Sequence, residues 1–269
     1  MERAANGPEG LCRSAPPERV NDYDRFAEAY SAENENNLVN AYYERPAMLA
    51  LAGDVAGRRV LDAGCGSGPL SAALRARGAA VTGVDVSAGM LELARRRLGD
   101  GIPLHQADLS GRLPFDDDAF DDVVASLVLH YLEDWGPALA ELRRVLRPGG
   151  RLIASVDHPF VAYTFQDPRP DYAATTSYTF DWTFGGQSVP MRFWRKPLHA
   201  MTDAFTAAGF RLAVISEPQP DPAARELFPD DFHSLSTTPC FLFFVVELPA
   251  PAPDAPASPP RERPPGRAS

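Results

Sequence analysis

Residues 60–68 read VLDAGCGSG. Two apolar residues lead to an acid, and three glycines then alternate with small residues. This is the pattern of a strand feeding a glycine-rich loop at a ligand site, where the missing Cβ lets backbone and ligand approach closely. The dinucleotide fingerprint G-x-G-x-x-G needs its third glycine for close helix–strand packing. Here the spacing is Gly64-x-Gly66-x-Gly68, and Pro69 holds the third fingerprint position. No lysine follows the glycines, so a triphosphate-binding P-loop is excluded, and the spacing argues against a nicotinamide dinucleotide.

Outward from this loop, strand and helix patterns alternate. RRVLD (58–62), AVTGVD (80–85), IPLHQ (102–106), FDDVVAS (120–126) and GRLIASVD (150–157) read as strands. The intervening segments carry apolar residues at helical spacing, as with Leu70 and Leu74, or Met90, Leu91, Ala94 and Leu98 behind an N-capping Ser87. Pro148-Gly149-Gly150 reads as a helix stop. Such alternation implies an α/β fold with a parallel, doubly wound sheet and helices on both faces. A late helix (about 198–208) and the strands FRLAVISE (210–217) and CFLFFVVEL (240–248) follow. The last run is apolar at nearly every position, which places it inside the sheet and not at an edge.

Two further acids follow strands in the same way. Asp85 ends the second strand, where a carboxylate can accept both ribose hydroxyls of an adenosine. Asp108, in the QADL run after the third strand, can accept from an exocyclic amine. The segments VLDAGCGSG, VTGVDVSAGML, HQADLSGRLPFDDDAFDDVVAS and ELRRVLRPGGRLI stand in an order and spacing that resembles the class I S-adenosylmethionine-dependent methyltransferases, over about residues 55–157. The resemblance implies a seven-stranded sheet whose last strand is antiparallel and sits beside the fifth. It also implies S-adenosylmethionine as cofactor, with S-adenosylhomocysteine as product. Carried over residue by residue, Gly64, Cys65 and Gly66 line the methionine end and Asp62 orients its ammonium. Asp85 takes the ribose, Val86 and Met90 flank the adenosine, and Asp108 and Leu109 meet the adenine. Ser126 offers a carbonyl to the amino group, and Tyr23 or Tyr30 closes over the cofactor.

Methyl transfer from a sulfonium releases a neutral thioether, so positioning and exclusion of water supply much of the catalysis. A base is needed only where the acceptor must lose a proton. His158, ending the fifth strand, is the first candidate, and His130, after the fourth, the second. No metal is expected, because no acid cluster accompanies Asp157 at the strand ends.

Residues 158–197 form an insertion. In SYTFDWTFGGQSVPMRFW, Tyr178, Phe180, Trp182 and Phe184 alternate on one face around a Gly185-Gly186 turn. Folding about that turn pairs Trp182 with Val189, Phe180 with Met191 and Tyr178 with Phe193, on one face, with Pro190 opposite Asp181. The expectation is a hairpin lid covering the active site, with Trp182, Phe184, Phe193 and Tyr131 meeting the acceptor.

Of 269 residues, 26 are Lys or Arg and 36 are Asp or Glu, for a net charge of −10. That balance disfavours non-specific nucleic-acid binding, so the expected partner is a small, partly apolar or aromatic molecule. An RNA or protein acceptor, served by Arg192–Lys196 (RFWRK), remains an alternative, as does a cofactor-binding protein that transfers no methyl group. Three cysteines without metal spacing and no long apolar run point to a cytoplasmic protein that meets no membrane. The domain is expected at 21–248, with a helical cap at 21–55 and disordered segments at 1–20 and, Pro-rich, at 249–269.

Overall fold

The computed structural model describes residues 21–250, apart from Gly185 and the side chains of Phe184 and Gln187. The disorder expected for 1–20 and for the tail from 251 onward lies outside the described residues.

A cap opens the described chain. It comprises α1 (Ala27–Asn36), a π-helical turn (Asn40–Glu44) and α2 (Arg45–Ala52). The α/β core follows as β1 (Arg59–Ala63), α3 (Pro69–Ala76), β2 (Ala80–Asp85), α4 (Ala88–Leu98), β3 (Leu104–Gln106), β4 (Phe120–Ser126), α5 (Gly136–Val145) and β5 (Leu146–Asp157). The insertion contains α6 (Pro159–Thr164) and the hairpin β6 (Thr176–Phe184) and β7 (Gln187–Arg195). The chain closes with α7 (Leu198–Ala207), β8 (Arg211–Ser216), α8 (Ala224–Leu227), α9 (Pro229–Thr237) and β9 (Phe241–Glu247). None of the described helices is long and apolar enough to cross a membrane.

The main sheet has the order β3-β2-β1-β4-β5-β9-β8. Pairing is parallel from β3 through β5, and β9 runs antiparallel to both β5 and β8. The expected seven-stranded architecture is therefore what the chain adopts. The apolar run explains the place of β9: Leu242, Phe244 and Val246 enter the core layer of α5 and α7, while Phe241, Phe243 and Val245 enter that of α2 and α3. A strand apolar on both faces is stable only with both faces covered.

Two boundaries differ from the sequence reading. The helix before the Pro-Gly-Gly stop ends at Val145, and β5 begins at Leu146 instead of Gly150. A register shift against β4 between Phe120 and Asp122 absorbs the prolyl-glycyl stretch, as a bulge does. The third strand is only three residues long, because Pro103 has no N–H to donate to a ladder.

The hairpin pairs in the expected register, Trp182 with Val189, Phe180 with Met191, Tyr178 with Phe193 and Asp181 with Pro190. Its aromatic face packs against Tyr23, Phe26 and Tyr30 of the cap and against Tyr131. Buried Arg195 donates to the carbonyls of Asp171, Tyr172 and Ala174, and buried Lys196 to that of Glu133, which fixes the end of β7 to the core.

Candidate functional site

The loop after β1 is held in three left-handed glycines, Gly64, Gly66 and Gly68, at φ of +81°, +54° and +80°. The Gly64 and Cys65 amides donate to the Val84 carbonyl at 2.8 and 2.9 Å, tying the loop to β2. Pro69 starts α3, where its fixed φ suits the helix and its missing N–H costs nothing. Asp85 completes the frame: Oδ2 accepts the Gly66 amide at 2.8 Å and Oδ1 the Ser87 amide at 2.9 Å.

The first two glycines serve different ends. A Cβ at Gly64 would stand 2.6 Å from Val128 Cγ2, whereas a Cβ at Gly66 meets nothing within 4 Å. Gly64→Ala should therefore cost about 2–5 kcal/mol of stability, the sum of left-handed strain and overpacking. Gly66→Ala should cost about 1–2 kcal/mol while its methyl group obstructs the cavity. Chemical denaturation and ligand titration of both variants check this contrast.

Every residue expected around the cofactor lines one cavity: Tyr23, Asp62, Gly64, Cys65, Gly66, Asp85, Val86, Met90, Asp108, Leu109 and Ser126. Tyr30 and Tyr131 line it as well. The acids at the strand ends are unevenly served. Ser71 donates to Asp62 Oδ2 at 2.6 Å, and burial, with Asp85 and Glu44 nearby, pushes the Asp62 carboxyl up to about 7. Burial also raises Asp85. The Cys65 thiol is driven well above its usual range by burial, which makes it inert as a nucleophile. Burial does the same to Tyr23 and Tyr131, so both phenols are protonated, and their hydroxyls are hydrogen-bonded to each other.

The two histidines are not on this cavity. His158 Nε2 pairs with Glu217 Oε1 at 2.6 Å, and its Nδ1 is buried without a partner among the described residues. Its amide donates to the Cys240 carbonyl where the chain turns into α6, which directs the imidazole toward the end of β8. His130 is 5% exposed and accepts the Asp157 amide on Nδ1 at 3.2 Å. Burial lowers its pKa and keeps it neutral.

Among the described residues expected to meet the acceptor, only Tyr131 lines the cavity. Phe193 is 2% exposed, with Tyr131, Tyr178, Trp182 and His130 centred 5.1–5.6 Å away. The hairpin thus backs the tyrosine wall instead of forming it. Trp182 packs on Phe193, and the side chain of Phe184 lies outside the described residues.

Sequence reasoning missed Asn34, Asn40, Glu44, Arg45, Leu127, Val128 and Leu132, all of which line the cavity. Leu127 follows β4 at φ +49°, a conformation costly for a leucine and typical of functional loops. The cap residues come from a polar stretch, NENNLVNAYYER, whose asparagines were the available signal.

This donor set fits an adenosine carrying a cationic tail. Asp85 offers spare lone pairs beside the Asp108–Leu109 and Val86–Met90 surfaces, while Asp62 and Glu44 face the cavity with no ion pair among the described residues. A family model described as a methyltransferase domain matches residues 61–154. A demethylmenaquinone methyltransferase of Clavibacter sepedonicus is 43% identical over 134 residues, covering 49% of this chain and 54% of that protein. A malonyl-[acyl-carrier protein] O-methyltransferase of Serratia marcescens is 41% identical over 108 residues, covering 40% and 42%. The chain thus spans about half the length of these curated relatives. The crystal structure of an S-adenosylmethionine-dependent methyltransferase from Mesorhizobium loti superposes with a TM-score of 0.60 at 26% identity, covering 75% of this chain and 96% of that one.

Proposed function

Since this chain belongs to the class I S-adenosylmethionine-dependent methyltransferases, we propose that it methylates a small, partly apolar organic acceptor. The observation that carries this reading is the single cavity in which the glycine loop, Asp62, Asp85 and Asp108 converge. When bound, S-adenosylmethionine supplies an electrophilic methyl group on a cationic sulfur. The chain's own residues bind, orient and enclose. Asp85 holds the adenosine through its ribose, and the glycine loop with Asp62 takes the methionine end. Val128, Leu132 and Tyr131 give an apolar and aromatic wall, a surface suited to the quinone-type acceptor named for the Clavibacter relative. The net charge of −10 fits a small acceptor better than an RNA.

No histidine lies on the cavity among the described residues, so we assign rate enhancement to alignment and desolvation. His158→Ala should then transfer methyl groups within twofold of the wild-type rate.

The test begins with calorimetric titration of S-adenosylhomocysteine and of NAD. Labelled methyl transfer to demethylmenaquinol and to a metabolite mixture follows. We expect S-adenosylhomocysteine to bind and the label to enter small apolar products. NAD binding without S-adenosylhomocysteine binding would overturn the reading.

Asp62 adds a pH signature. Its folded carboxyl, near 7, lies above the unfolded value of about 3.9. The stability it contributes is thus present below about pH 4 and lost as pH rises to 7. A cationic ligand end favours the ionised carboxylate, so affinity should rise about tenfold from pH 6 to pH 8. Asp62→Asn should flatten that slope.

A further inference from the structure

The π-helical turn at Asn40–Glu44 ends on a carboxylate that reaches the α/β core. Glu44 is 3% exposed yet lines the cavity. The parallel register sets Ser126 of β4 beside Ser155 of β5. Both hydroxyls donate to the same oxygen, Glu44 Oε1, at 2.7 and 2.6 Å. Oε2 accepts no hydrogen bond and Glu44 makes no ion pair among the described residues. The adjacent Arg45 is committed elsewhere, donating to the Asn34 carbonyl and side-chain oxygen at 3.1 and 3.2 Å. Asp62 stands on the same cavity, with Tyr30 facing from α1.

A largely buried carboxylate with one oxygen fixed by two donors and the other open to the cavity without a donor is best completed there by a cation. The serine fork holds the side chain in one orientation, so the unmet oxygen is presented at a fixed place. π-helical turns occur often where a side chain is delivered to a site.

We propose that Glu44 is a second carboxylate for the amino group at the methionine end of the cofactor, which is gripped between Glu44 of the cap and Asp62 of the sheet. This rests on the reading above that the cavity takes S-adenosylmethionine. Two acids from separate elements make ligand capture depend on the cap being docked. Burial holds the Glu44 carboxyl above its usual range in the free protein, as expected of a group waiting for its cation.

The test compares S-adenosylhomocysteine with 5′-methylthioadenosine, which keeps the adenosine and thioether but lacks the amino-acid end. Both are titrated calorimetrically into the full chain. Glu44→Gln should weaken S-adenosylhomocysteine on the order of 30-fold, the worth of one hydrogen bond to a charged group. Binding of 5′-methylthioadenosine should stay within twofold. Equal weakening of both ligands, or of neither, overturns the assignment and leaves Glu44 as a tie between cap and sheet. If the wild-type chain binds 5′-methylthioadenosine and S-adenosylhomocysteine alike, the amino end is not recognised and the proposal fails while the cofactor reading stands. If it binds neither, the cofactor reading itself falls, and the proposal with it. Hydrogen exchange on the wild-type chain needs no variant: S-adenosylhomocysteine should protect the amides of residues 40–45, and 5′-methylthioadenosine should not. Equal protection by the two ligands also overturns the proposal.

Discussion

Asp85→Ala should abolish detectable binding of S-adenosylhomocysteine. The carboxylate already accepts the Gly66 and Ser87 amides, one on each oxygen. A carboxylate has about four lone-pair sites, so two remain for the ribose hydroxyls proposed to meet it. Hydrogen bonds to a charged group contribute about 1.5–3 kcal/mol each. Losing two therefore weakens binding by about two to four orders of magnitude. The variant also leaves the Gly66 amide without its acceptor, so the loop loses the contact that fixes its third residue. Calorimetry of the variant against the wild-type chain checks this. A dissociation constant within tenfold of wild type would remove Asp85 from the binding site.

The largest loss of stability should come from the opposite end of the same sheet. Asp122, 1% exposed, is shared by two arginines. Arg58 donates through Nε and through Nη2 at 2.7 Å, and Arg151 through Nε and Nη2, both at 2.8 Å. The network joins the segment entering β1 to β4 and β5. Alanine at 122 leaves two partly buried guanidinium groups unpaired, a defect of about 3–5 kcal/mol. For a domain of this size the melting temperature should fall by roughly 6–20 °C. Asp122 is four residues before Ser126, about 13 Å along the strand. S-adenosylhomocysteine affinity at 20 °C should therefore stay at the wild-type value. The two substitutions separate binding from stability in one sheet.

What the sequence makes legible is what short-range rules control. Glycine spacing, strand-end acids and alternating patterns specify the loop, the sheet and its order. The double-faced apolar run from Phe241 to Glu247 reveals an interior strand, because only burial on both sides justifies such a pattern. The hairpin register follows from period two and a turn. What lies beyond those rules depends on how elements dock. Nothing local says that Phe193 stands behind Tyr131 or that His158 faces Glu217. α1 buries only Ala27 and has no apolar stripe, so its packing cannot be read from periodicity. Glu44 is hidden for a related reason: a π-helical turn shifts the side-chain phase that a regular helix would give, and the partner serines lie 82 and 111 residues away.

The place of β9 has a consequence for how the protein is made. β5 ends at Asp157, yet its partner on the far side is not complete until Glu247. At about 5–20 residues per second, the ribosome needs roughly 5–20 seconds to cover that interval. During synthesis the nascent parallel half-sheet, β1 through β5, therefore carries an open edge at Leu152–Val156. Such an edge pairs readily with other chains. Slower translation or early termination before residue 241 should thus favour inclusion bodies over correctly closed protein.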